Sequence, residues 1–203
     1  MSEMIAYQIV RTKEFIESYI ESLEKTQKAF IDVIGENNYE NFEIGSVDVE
    51  YDSKNKSYMH AEQMLGSQRK MLTEVLINHH WYVGVNNTDL PLIISDNPVA
   101  TNLRGYAERD IEISFPISEK LVILIFGSEP QGKLRSKKTH FIDIDEEIVK
   151  TLNIWQVRSS NIQTIGNRVA VENAVDELKS KGTNLKRKSR SIICDGAGKG
   201  RVY

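Results

Sequence analysis

Leu90-Pro91-Leu92-Ile93-Ile94-Ser95-Asp96-Asn97-Pro98-Val99-Ala100-Thr101 is the stretch on which the reading of the chain turns. A short, Ile-rich run passes straight into Ser-Asp-Asn-Pro, after which the chain turns apolar again. Such a run bounded by turn residues predicts a buried strand. Pro98 drives Asn97 out of the helical region, so strand and turn meet at Asp96. A carboxylate at the end of a buried strand suits chemistry. It equally suits an Asx-turn, in which Asp96 accepts hydrogen bonds from backbone N–H groups around Asn97–Val99, and this structural role is the one expected.

Upstream of that stretch, His80-Trp81-Tyr82-Val83-Gly84-Val85 is aromatic and β-branched and predicts a strand. Asn86–Asp89 supplies a turn, so this strand and Pro91–Ile94 are expected to form an antiparallel hairpin. Ile111–Phe115 alternates as a half-buried strand. Leu121–Phe126 is apolar on both faces and reads as a central strand, and Thr139–Ile142 is a further short one. Two helical segments precede the strands. Residues 3–34 carry Ile5, Ile9, Ile16, Ile20, Leu23, Phe30, Ile31 and Ile34 at helical steps, with a break near either Thr12 or Thr26. Ser57–Asn78 carries a stripe of Ala61, Met64, Leu65, Gln68, Met71, Leu72, Val75 and Leu76, weakened at Gly66. The two are expected to pack as an antiparallel pair, with Asn38–Lys56 between them as an edge strand or a loop. After the strands, Asp145 is placed to cap a helix over Glu146–Asn161 and Asn167 one ending at Gly182, with a last strand at Ile162–Ile165. The fold class is α+β: N-terminal helices on an antiparallel sheet of about five strands, then C-terminal helices. One domain is expected over 1–182 (helical 1–78, sheet 79–143, helical 144–182), with a basic tail over 183–203.

The 203 residues are 40% hydrophobic and 27% charged, a balance typical of water-soluble globular chains. The longest purely apolar run, Leu121–Phe126, falls far short of the roughly 18–20 residues of a membrane helix. The opening Met-Ser-Glu-Met does not resemble a secretory signal. Cys194 is the sole cysteine, which suits a reducing compartment, and a cytoplasmic location is expected. The net charge of −3 hides a gradient: residues 1–50 hold eleven acids and four bases, residues 181–203 seven bases and one acid. Such a tail is expected either to be a solvated terminus or to bind polyanions weakly.

The residues that suggest chemistry are few. His79 and His80 are adjacent, so on a strand they point to opposite faces and cannot share an ion. His60 has no second ligand one helical turn on, and His140 is remote in sequence. Asp143 and Asp145 form a D-x-D pair that suits Mg²⁺, but helix capping accounts for Asp145. No metal and no cofactor is expected. Cys194 has no histidine nearby, and Gly196-Ala197-Gly198-Lys199-Gly200 lacks the spacing of a phosphate loop. Arg104, Arg109, Arg135, Lys137 and Lys138 lie on two loops that would make an anion-binding patch if they share an edge; scattered surface charge is the alternative.

Several features together resemble a bacterial family of unknown function, DUF4238. They are Ala6-Tyr7-Gln8-Ile9-Val10-Arg11-Thr12 in the opening helix, Trp81, Ile93-Ile94-Ser95-Asp96-Asn97-Pro98-Val99, Phe115-Pro116-Ile117-Ser118, and Asn153 in the helix after the strands. The resemblance implies homology and fold, not a reaction. Members typically carry an H-Y-V-P-Q-like segment ahead of the first helix, which this sequence lacks, so a truncated member is one reading. Two function classes follow. One is a non-catalytic binding module. The other is a hydrolase or nuclease of a defence-type system with Asp96, Ser95 and Asn97 at its polar centre. The apolar stripe reaching Ile5 and Ile9 in the first turns also leads to an expectation of exposed apolar surface there, covered by self-association or a partner chain.

Overall fold

The computed structural model describes residues 1–38, 52–102, 105–129, 139–182, 190–194 and 198–202. The opening helical segment divides at Thr12 into α1 (Ser2–Val10) and α2 (Lys13–Asn38). Thr12 itself makes the break: its hydroxyl donates to the Ile9 carbonyl at 2.9 Å and accepts from the Phe15 N–H at 3.3 Å. One side chain thus serves the end of one helix and the start of the next. Thr26 only turns its hydroxyl back to Ser22 O, and α2 runs through it.

The second segment is not one helix. It begins earlier than expected and divides into α3 (Ser53–Leu65) and α4 (Ser67–Ile77). At Gly66 the backbone turns extended, and a Cβ there would stand 2.4 Å from the Glu62 carbonyl oxygen, so only glycine fits. The break resets the helical phase. Leu72 and Leu76 are buried, whereas Leu65 and Met71 from the expected stripe face solvent. The pairing is α1 along α4 and α2 beside α3.

Five strands form the main sheet: β1 (His80–Asn86), β3 (Ala100–Thr101), β4 (Glu112–Pro116), β5 (Leu121–Phe126) and β6 (Phe141–Ile144). Their order is β3-β4-β5-β1-β6, which puts the fully apolar β5 at the centre. The sheet is mixed: the other ladders are antiparallel, but β6 runs parallel to β1, with Val83 opposite Phe141. The expected hairpin from β1 to Pro91–Ile94 does not form, because β5 takes that edge of β1, with Val83 opposite Ile123. Leu90–Ile93 instead crosses the sheet face. Only Ile94–Ser95 (β2) is strand, and it pairs with β7 (Thr164–Ile165) in a separate two-stranded sheet.

The sheet is packed on both sides. Ile113, Ile123 and Ile125 meet α1 and α4 through Ile5, Ile9, Val10, Leu72 and Leu76. Ile5 is 0% and Ile9 3% exposed: α4 and the sheet cover these two side chains within the chain. The exposed apolar side chains of this helix are Met4 and Tyr7. On the opposite face, Val122, Leu124, Ile142 and Ile144 meet Leu92 and α5 (Glu146–Ser159) through Val149 and Leu152. Behind α5 lies α6 (Arg168–Ser180), whose Val171, Ala174 and Val175 close over Ile93 and Val157. Asp145 and Asn167 cap α5 and α6 as their spacing predicts. Within the tail, β8 (Arg190–Cys194) and β9 (Gly198–Val202) form a hairpin for which the sequence offers no periodicity.

Candidate functional site

Ser95, Asp96 and Asn97 lie where the crossing segment meets the last turns of α5. The apolar residues of this segment are sandwiched, Leu92 against the sheet and Ile93 against α6. Its backbone polar groups therefore need partners away from water, and burying them unpaired is costly. Over Pro91–Ile93, Leu92 N–H donates to the Glu119 carbonyl at 3.1 Å. A side chain of α5 serves its two neighbours. Asn153 accepts from Ile93 N–H at 3.0 Å through Oδ1 and donates from Nδ2 to Pro91 O at 2.9 Å. One amide thus pairs with the backbone as a strand residue would.

One helical turn on, Gln156 repeats the device. Its Oε1 accepts from Ser95 N–H at 3.1 Å, and its Nε2 donates to Pro98 O at 2.9 Å. Asn153 is 2% and Gln156 0% exposed, so both bonded pairs lie in the interior. The i, i+3 spacing puts the two amides on one face of α5, about two strand residues apart along the segment they hold. Gln156 is the residue the sequence reading missed. The cue was there, as a second buried amide in phase with Asn153, but a polar residue on a helix is ordinarily solvated.

The Ser95 hydroxyl faces the Asn97 carbonyl at 2.8 Å and Gln156 Oε1 at 3.1 Å. Ser159 donates to the same Asn97 carbonyl at 3.3 Å. Asp96 accepts from backbone N–H groups, but not from the expected ones around Asn97–Val99. Its Oδ1 accepts from Asn161 N–H at 2.9 Å and its Oδ2 from Ile162 N–H at 2.8 Å, both on the loop leaving α5. Its own N–H donates to Gln163 O at 3.1 Å. The turn after β2 is therefore pinned to a loop 65 residues away rather than to its own next residues. The three residues named for chemistry are together in space, and Ser95 and Asp96 bond to backbone groups and to Gln156.

The remaining candidates do not converge on this place. His79 Nε2 lies 2.8 Å from Tyr106 O and His140 Nδ1 3.1 Å from Trp81 O. Asp143 accepts from Asn87 Nδ2, and Asp145 caps α5 through Ile148 N–H. Among the described residues no three His, Cys, Asp or Glu side chains cluster as metal ligands do. Arg109 is exposed, and Arg104, Arg135, Lys137 and Lys138 lie outside the described residues, as do the side chains of the tail. Arg158 reaches from the end of α5 to the Thr101 carbonyl at 2.6 Å. Burial pulls its pKa below the usual guanidinium value.

These features define an α+β protein whose sheet carries a crossing segment held by helix amides. The chain belongs to DUF4238, described as a protein of unknown function, whose family model matches residues 1–169. That span takes in α1 through the start of α6, and so every residue of the Asn153–Gln156–Asp96 network; the basic tail lies beyond it. No curated protein matches the chain, and no solved structure does.

Proposed function

We propose that this chain acts as a non-catalytic binding module, in which the Ser-Asp-Asn-Pro turn is a structural keystone. The observation that carries the reading is the state of Asp96: both carboxylate oxygens are engaged by backbone N–H groups of the α5–β7 loop. A general base or nucleophile needs a lone pair directed at a substrate. At Asp96 one lone pair of each oxygen is directed at the N–H of Asn161 or Ile162. The protein works in the cytoplasm on this reading, and its tail, with seven bases and one acid over residues 181–203, adds weak, sequence-indifferent attraction to polyanions.

The test sets this reading against a hydrolase or nuclease built on Asp96. Wild-type protein and Asp96→Asn are incubated with single- and double-stranded DNA, RNA and chromogenic phospho- and carboxyl esters, with divalent ions added. The expected result is no turnover above that of heat-denatured protein. Turnover that disappears in an Asp96→Asn protein still folded at the assay temperature overturns it. The tail is tested separately, by retention on heparin as salt is raised. A chain ending at Gly182 that elutes with the full-length protein overturns the polyanion reading.

A further inference from the structure

We infer that Arg158 is the anchor of a site for a small oxyanion, a carboxylate or phosphate group, at the junction of α5 and β3. The guanidinium is half-buried, and among the described residues its one hydrogen bond runs from Nη2 to the Thr101 carbonyl. Among the described residues no Asp or Glu pairs with it, whereas the last-turn Lys179 of α6 pairs with Asp176. A guanidinium carries five N–H donors in a planar fork, and one is spent here. Removing such a group from water without a counter-charge is unfavourable, and proteins ordinarily pair it.

Two simpler accounts leave part of the observation over. Position in the last turn of α5 suits any cation, because the helix end carries negative partial charge. The bond to Thr101 O needs one donor. Lysine meets both requirements, with a compact ammonium. What only arginine adds is the fork, which matches the two oxygens of a carboxylate or phosphate edge. Burial lowers the pKa of Arg158 and no nearby carboxylate raises it, as expected of a cation whose counter-charge arrives with a ligand. The neighbouring Asn102 directs its Nδ2 to Asp110 O. The inference rests on Arg158 and holds whether or not the module proves catalytic.

The experiment follows the arginine Nε–Hε signals of full-length, ¹⁵N-labelled protein during titration with inorganic phosphate, with acetate and with chloride at matched ionic strength. The Arg158 signal is assigned by its absence from Arg158→Lys. Saturable movement with phosphate or acetate, and none with chloride, is expected, and the oxyanion that saturates names the class. In Arg158→Lys, which keeps the charge and can keep the bond to Thr101 O, backbone amide shifts of Thr101 and Asn102 should report affinity about tenfold weaker or worse. Non-saturating shifts, shifts equal in chloride, or unchanged affinity in Arg158→Lys overturn the site. If Arg158→Lys does not fold, the backbone amide shifts of Thr101 and Asn102 in the wild-type protein, oxyanion against chloride, still decide.

Discussion

Replacing Asp96 by alanine removes the two bonds that tie the end of β2 to the loop leaving α5. A hydrogen bond to a charged group contributes about 1.5–3 kcal/mol net, so a fully buried pair would represent about 3–6 kcal/mol. The geometry argues for the lower part of that scale. Asn161 is half-buried and Ile162 exposed, so water can solvate both freed N–H groups once the carboxylate is gone. A loss of about 2 kcal/mol is expected, or about 4–8 °C in Tm for a chain of this length. Asp96→Asn should lose nearly as much, because its NH₂ group faces a donor where a carboxylate oxygen accepted. Urea unfolding gives the stability, and amide exchange at Asn161 and Ile162 locates the change. Faster exchange confined to those amides and their neighbours is expected. A stability loss under about 0.5 kcal/mol, or unchanged protection at both amides, refutes the keystone account.

Asn153→Leu strands Pro91 O and Ile93 N–H in the interior and should cost about 2–4 kcal/mol, more than an exposed-amide substitution on α5 by denaturant titration. Gly84→Ala puts a Cβ 2.7 Å from Val122 Cγ1 and 3.2 Å from Ile144 Cγ2, so an overpacking loss of about 1–3 kcal/mol is expected in the same assay. Burial, and then the nearby Asp110, raise the pKa of Glu112. Its charged form is thus disfavoured by folding, and the favourable contribution of the neutral form is lost as pH rises through the folded-state pKa. Glu112→Gln should therefore raise Tm at neutral pH, with the gain vanishing as pH falls below the ordinary carboxylate range; an equal gain at both extremes would contradict this.

Much of the architecture is encoded locally, where a few neighbouring residues suffice. Thr12 breaks a helix through its own hydroxyl, and Asp145 and Asn167 cap helices through N–H groups two or three residues on. The two-faced apolarity of Leu121–Phe126 likewise identifies a central strand, because burial on both faces writes itself into consecutive residues. Tertiary structure alone decided the path of Leu90–Ile93. A segment held between a sheet and a helix is apolar on both sides, as a central strand is, so composition cannot separate the two. What separates them is where the backbone N–H and C=O groups go. Here Ile93 N–H and Pro91 O go to Asn153, about 60 residues further along the chain, while Leu90 O accepts from Asn86 Nδ2 and Leu92 N–H donates to Glu119 O. The same holds for Asp96: its partners arrive from the loop leaving α5, and no local pattern names a bond that only packing brings into reach.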